Sequence, residues 1–310
     1  MSENEDIIEK KVHEIYSGIA QKGLMIRDPK EAVKILEKNY KLIVDEKIVK
    51  LVYASFLNGK PVLFEGPPGT GKTEIGEALL ELWSGKKSFL LPCSENYDEY
   101  KVIGDFHPLM AMKMGFTEES FVPRPMLAAM LLDAGILVDE IRRSSDEFQN
   151  LLLDIIDKRR IVVPELKRIF HASGSGFQII FTSNPDDVAQ NELSDAFLRR
   201  VIRIKFDYPS KEIESKIVKI RSLDEPNISN DMINIILKII IKLRESSILH
   251  KPGVDETVTW AKMAQFLAKL ENEDQVSMKH IKESAISLLS KRSEDEKIIE
   301  NVINDVISQY

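Results

Sequence analysis

The pattern of apolar and polar positions divides the chain into two kinds of sequence. Ile7, Ile8, Val12, Ile15, Tyr16 and Ile19 recur at helical spacing and predict an amphipathic helix over about 6–21. A second helix is expected after Asp45, a residue that can cap it, ending at Asn58-Gly59. Short apolar runs then take over, and 61–65, 88–91, 135–139, 177–182 and 201–206 read as buried strands. Helical patterns at 72–83 and 145–158 stand between them, the second with Ser144 and Glu147 at capping-box spacing. Strands alternating with helices predict an α/β domain built on a parallel five-stranded sheet covered on both faces. Residues 160–163 and 167–171 predict instead a small hairpin turning at Pro164-Glu165.

After Tyr208-Pro209-Ser210 the strand patterns stop, and helical spacing fills 210–221, 229–245, 255–271, 277–291 and 295–308. The expected organisation is a helical segment over 1–44, an α/β domain over 45–209 and an all-helical domain over 210–310. The most apolar stretch, 232–243, is interrupted by Asn234, Lys238 and Lys242. It is too short and too charged to span a bilayer, so it reads as a buried helix of the last domain, with no membrane insertion expected.

Gly66-Pro67-Pro68-Gly69-Thr70-Gly71-Lys72-Thr73 supplies the first chemistry. Glycine, four residues, glycine, lysine and threonine, between an apolar strand and a helix, is the pattern of a phosphate-binding loop. The glycines let backbone N–H groups curl around phosphate oxygens, and the new helix aims its free amides at the same anion. Lys72 offers a point charge to the outer phosphates, and the Thr73 hydroxyl suits Mg²⁺. Asp139 and Glu140 close a buried strand 67 residues after Lys72. Two acids there call for a cation and water: Asp139 as the Mg²⁺ partner through water, Glu140 as the base for an attacking water. Asn184 follows the fourth strand, where a carboxamide can reach the γ-phosphate or the attacking water; alternatively Asn184-Pro185 only begins a turn. Arg199 and Arg200 end a short helix before the fifth strand. Either could reach a neighbouring subunit's γ-phosphate, or both could simply suit a helix C-terminus.

Composition narrows the setting. The 310 residues carry 43 Lys and Arg against 50 Asp and Glu, a net charge of −7, with 43% hydrophobic and 30% charged residues. That balance excludes a disordered chain and weighs against sequence-independent nucleic-acid binding. A single cysteine, Cys93, excludes an intrachain disulfide, and the acidic N-terminus lacks an apolar signal core; both fit a reducing, cytoplasmic setting. Five scattered histidines show no zinc spacing. The run Met110-Ala111-Met112-Lys113-Met114 is adaptable apolar surface that either packs under a loop or grips a substrate chain.

Taken together these residues resemble the AAA+ ATPases, and among them the MoxR family, over about 45–290. Leu63 to Thr73 resembles Walker A, and Ile136 to Arg143 resembles Walker B, with Arg142 and Ser144 departing from the family's Asp-Glu-Ile-Asn-Arg-Ala. Thr182-Ser183-Asn184-Pro185 resembles sensor 1, and Leu193 to Arg200 resembles the arginine-finger helix, with Arg200 matched better than Arg199. Gly104 to Pro108, followed by Phe121 to Leu127, resembles the insertion that MoxR proteins carry before Walker B; in those relatives it faces a central pore. The hairpin around Pro164 resembles their second pore-facing insertion. Lys251 to Lys262 resembles the lid motif of a branch that includes carbon-monoxide-dehydrogenase maturation ATPases. Where many lids carry a sensor-2 arginine, this chain has Asp255 and Glu256.

The resemblance implies ATP and Mg²⁺ as ligands, a hexameric homo-oligomeric ring, and nucleotide bound between the α/β domain and the lid, near a neighbour's arginine. It implies chaperone-like remodelling or maturation of a protein client, often with a von Willebrand A domain protein. Two alternatives stay open: a motor or loader acting on nucleic acid, and a non-catalytic nucleotide-gated scaffold. The choice between ATP and GTP also stays open, because Asn184-Pro185-Asp186-Asp187 resembles a guanine-reading spacing.

Overall fold

Five of the apolar runs form one parallel sheet in the computed structural model, which describes residues 6–95, 98–185 and 191–310. The strands in chain order are β1 (Val62–Glu65), β2 (Phe89–Pro92), β3 (Gly104–Phe106), β4 (Phe121–Pro123), β5 (Ile136–Asp139), β6 (Arg160–Val163), β7 (Arg168–His171), β8 (Ile179–Ser183) and β9 (Ile202–Lys205). The sheet runs β2-β5-β8-β1-β9. Its inner strands β1 and β8 are buried at every position, whereas the edge strands β2 and β9 expose several of theirs. This explains why the inner strands read as unbroken apolar runs. Glu65 lies opposite Ser183 and Lys205, and Pro92 opposite Asp139, so the carboxyl ends of the strands are level. The helix Lys72–Ser84 presses on the sheet so closely that a Cβ on Gly76 would lie 2.5 Å from Leu137 Cδ1. Five parallel strands with flanking helices, followed by a helical C-terminal region, is the fold class expected from the sequence.

By internal contacts the chain divides into two units. One takes in the chain up to Tyr40, Val44–Gly66 and Lys72–Phe206; the other takes in Lys41–Ile43, Pro67–Gly71 and Asp207–Tyr310. The second unit holds the helices Lys211–Arg221, Asn230–Glu245, Val254–Leu270, Met278–Leu289 and Glu296–Ile307. Ser210 and Ser229 cap the first two, accepting from Ile213 N–H and Met232 N–H. Its core gathers Ile236, Ile240, Trp260, Ile281 and Ile303. Glu214, fully buried, is held by Arg244 at 2.8 and 2.9 Å and by the Thr257 hydroxyl at 2.7 Å, so its charge is paired. The apolar stretch at 232–243 lies inside Asn230–Glu245, and no described helix is long and apolar enough to cross a membrane.

Two antiparallel hairpins, β3–β4 and β6–β7, extend the first unit. The helix Pro108–Met114 sits inside the first hairpin and buries none of its residues; Met112 is 85% exposed. The expectation that these methionines pack under a loop therefore does not hold. The N-terminal helix is shorter than the pattern suggests: it runs Ile7–Ile15, breaks at Tyr16 and resumes over Ser17–Ala20. Ile8 and Val12 are fully buried in the same apolar cluster as Phe121 and Phe170. Lys11 Nζ donates to the carbonyls of Glu118 and Phe121, each at 2.9 Å. Arg168, on β7, pairs with Asp6 and, at 2.7 Å, with Glu118, so one short helix ties both hairpins together. The helix Pro29–Tyr40 falls within the helical segment expected over 1–44 but was not delimited by periodicity, because only Ala32 and Leu36 are buried along it.

Candidate active site

The P-loop turn connects β1 to the helix Lys72–Ser84. Gly69 and Gly71 take φ of +69° and +82°, left-handed values that a side chain would resist and that let the turn fold its amides inward. Thr70 closes the turn on itself, its hydroxyl donating to Pro67 O at 2.9 Å. Lys72 is 8% exposed and donates from Nζ to Gly66 O at 2.9 Å, which keeps the ammonium folded back along the loop.

Asp139 and Glu140 lie close to the start of the helix Lys72–Ser84. The Thr73 hydroxyl donates to Asp139 Oδ1 at 3.0 Å, and the Thr182 hydroxyl donates to the same oxygen. Thr182 Oγ1 in turn accepts the Glu140 N–H at 2.9 Å. A hydroxyl and a carboxylate brought together in this way form an oxygen donor set that suits a hard divalent cation such as Mg²⁺. Glu140 adopts φ of +55°, the left-handed region, immediately past β5. Its Oε2 lies 2.8 Å from Arg143 Nη1, on the solvent side. Neighbouring Cys93 is buried, and burial, with Asp139 and Glu140 close by, pushes its thiol up to about 12. Glu77, on the P-loop helix, is raised mainly by burial and further by Glu81 and Asp139.

Asn184 stands one residue beyond β8 and is half-buried. The Gly66 N–H donates to Ser183 O at 3.2 Å, which places the residue before Asn184 against the start of the P-loop. Lys72, Thr73, Asp139, Glu140 and Asn184 thus gather at the carboxyl ends of β1, β5 and β8, where open α/β sheets bind their ligands. Asp186 and Asp187, which completed the guanine-reading resemblance, lie outside the described residues.

Arg199 and Arg200 are placed elsewhere. They follow the helix Asp195–Leu198 and precede β9, whose first residue Ile202 lies level with Val62 at the amino end of β1. Arg200 Nε donates to Asp157 Oδ2 at 2.7 Å, and Nη1 donates to Ala196 O at 2.7 Å. A single chain therefore sets these arginines at the opposite end of the sheet from Lys72. Ser145, not Ser144, caps the helix Asp146–Lys158; Ser144 is buried, and its hydroxyl donates to Ile141 O.

Sequence reading gave no role to Thr182 or to the ion cluster of Glu65, Arg142 and Arg203. For Glu65 and Thr182 the available signal was a polar residue closing or interrupting an otherwise apolar strand. A separate cluster of Glu271, Glu273 and His280 lies in the helical unit. His280 Nδ1 accepts the Ser277 N–H at 3.0 Å, so the neutral ring carries its hydrogen on Nε2 and directs it to Glu271. Nε2 then has no lone pair for an ion.

Residues 61–201 match the family model described as the AAA domain of the dynein-related subfamily. The chain is 26% identical over 202 residues to the uncharacterized protein SSP1341 of Staphylococcus saprophyticus, covering 65% of this chain and 73% of that one. It is 28% identical over 180 residues to SAUSA300_1302 of Staphylococcus aureus (58% and 67%) and 26% identical over 164 residues to YehL of Escherichia coli (52% and 45%). A solved structure of a Cytophaga hutchinsonii protein aligns over 98% of this chain and 95% of that one, at 17% identity and a TM-score of 0.42, too slight a likeness to argue from. Over residues 61–201 the α/β unit is thus similar to AAA-type ATPase domains, on a P-loop fold, and the protein is an ATP-hydrolysing enzyme.

Proposed function

We propose that this chain is a Mg²⁺-dependent ATPase of the MoxR type that works in a ring, hexameric by resemblance, to remodel or mature a protein client. The observation that carries the reading is the gathering of Lys72, Thr73, Asp139, Glu140 and Asn184 at three adjacent strand ends. The amides of Gly66 to Thr73 and the Lys72 ammonium bind the phosphates, with Lys72 exchanging its present contact with Gly66 O for phosphate oxygens. Mg²⁺, held by Thr73 and through water by Asp139, supplies charge neutralisation when bound. Glu140 accepts the proton of the attacking water, Asn184 orients that water, and the products are ADP and phosphate. Arg200, with Arg199 beside it, serves a neighbouring subunit, which accounts for a position remote from its own P-loop.

The exposed apolar helix Pro108–Met114 supports a protein client, because a methionine-rich surface adapts to varied apolar segments. The net charge of −7 supports the same choice over nucleic acid. A von Willebrand A domain partner and a maturation role follow from the MoxR resemblance alone.

The test is a pair of variants. Lys72→Ala should lose nucleotide binding, measured with a fluorescent ATP analogue. Glu140→Gln should bind ATP with Mg²⁺ yet release phosphate at least about 100-fold more slowly than the parent. Undiminished hydrolysis by Glu140→Gln would remove the base from this scheme. A trapped Glu140→Gln ring loaded with ATP is also the form to use for retaining a client.

A further inference from the structure

Building on the roles given above to Glu140 and Asn184, we infer that Arg142 is a positioning residue whose guanidinium holds the three strand ends of the active site in register. Its Nε donates to Ser183 Oγ at 2.8 Å, and its Nη2 donates to Glu65 Oε1 at 3.2 Å. Glu65 immediately precedes the P-loop glycine Gly66, Ser183 immediately precedes Asn184, and Arg142 itself lies two residues after Glu140. One planar group therefore joins the ends of β1 and β8 to the turn that leaves β5, and each of the three carries part of the catalytic set.

The strand ladder leaves that task undone. Pairing fixes β1 to β8 as far as Glu65 and Ser183, but β5 pairs with β8 only as far as Val138 and Phe181. Glu140 lies past this ladder in a left-handed conformation that a non-glycine residue resists. The Thr182 hydroxyl, through the Glu140 N–H, and the Arg142 contacts fasten this turn to β8 and β1. The network is buried at its centre. Glu65 is 5% exposed, and its second oxygen, Oε2, accepts from Arg203 Nε at 3.1 Å. Burial alone would raise the Glu65 carboxyl, but Arg203 and Arg142 hold it below its ordinary value, so it remains a charged anchor. A lysine offers a point charge in place of a fork and cannot span the same two acceptors in one plane.

The rival role for Arg142 is neutralising Glu65 and nothing more, and the experiment separates the two. Arg142→Met, Arg142→Lys and the double variant Glu65→Gln/Arg142→Met are prepared in the full chain, with Glu140→Gln alongside. In Arg142→Met, affinity for a fluorescent ATP analogue with Mg²⁺ should stay within about twofold of the parent and KM should barely move. Its kcat should fall roughly 10- to 100-fold, the scale of a small misplacement of reacting groups. Arg142→Lys should not rescue it. The double variant should regain thermal stability, since no carboxylate is left short of a partner, yet its turnover should stay low. Parent-like turnover in Arg142→Met, or recovery of turnover in the double variant, overturns the inference. So does a fall in nucleotide affinity that tracks the fall in kcat, which would make Arg142 a phosphate ligand. Turnover surviving in Glu140→Gln instead overturns the reading of the base, so the two failures are distinguishable.

Discussion

Thr182 shows how much one hydroxyl decides at the scale of a residue. It donates to Asp139 and accepts from the Glu140 amide, fixing one acid by its side chain and the other by its backbone. It is 2% exposed, so no water stands ready to replace it. Thr182→Val keeps the shape but removes the acceptor of the Glu140 N–H and one of the two hydroxyls that donate to Asp139. The expected result is a loss of about 1–3 kcal/mol in stability, read by denaturant unfolding, with a fall in phosphate release larger than the fall in nucleotide affinity. The P-loop residues and the Walker B acids were legible in the sequence because local spacing alone defines them. Thr182, Glu65 and Arg142 were not, because their partners come from parts of the chain that the sequence separates by 41 to 138 residues. Only the parallel register brings those strand ends together.

Among the elements, the N-terminal helix has a testable dependence on pH. The Arg168 guanidinium, aided by the Ile8 and Glu9 amides, holds the Asp6 carboxyl below its ordinary value of 3.8 against the opposing effect of burial. A depressed carboxyl contributes stability that is fully present above that ordinary value and is lost as pH falls through the lower value in the folded chain. Residues 7–15 should therefore loosen from the two hairpins as pH falls below 3.8, before the central sheet does. Backbone protection factors, corrected for intrinsic exchange, should reveal it, and Asp6→Asn should reproduce the loosening at neutral pH. Equal protection in the two proteins at neutral pH would show that the buried Ile8 and Val12 hold the helix without Asp6. Long, regular elements such as the five C-terminal helices were legible to within about two residues at most ends. The helix Pro29–Tyr40 and the short strands β3 and β4 were not. Two buried side chains make no periodicity, and three-residue strands exist only because their partner lies opposite.

The position of Arg200 matters for the molecule as a whole. It is tied to Asp157 at the far end of its own sheet, so a trans role makes catalysis depend on assembly. Arg200→Ala should bind ATP and fail to turn it over, and Lys72→Ala should fail to bind. Mixed in equal amounts, the two should regain part of the parent rate, since some seams then join an intact P-loop to an intact arginine. Complete inactivity of the mixture, with association confirmed by light scattering, would count against the trans role. Which residues meet at such seams can be mapped chemically, and Cys93 makes the mapping simple. It is the chain's one thiol, it is buried, and burial with Asp139 and Glu140 close by pushes it far above an ordinary thiol, so little of it is thiolate at neutral pH. The natural protein is thus close to silent toward maleimides. A cysteine introduced on the surface, for instance at Met112, would be a single reactive handle for a crosslinker or a fluorophore, with no background to engineer away.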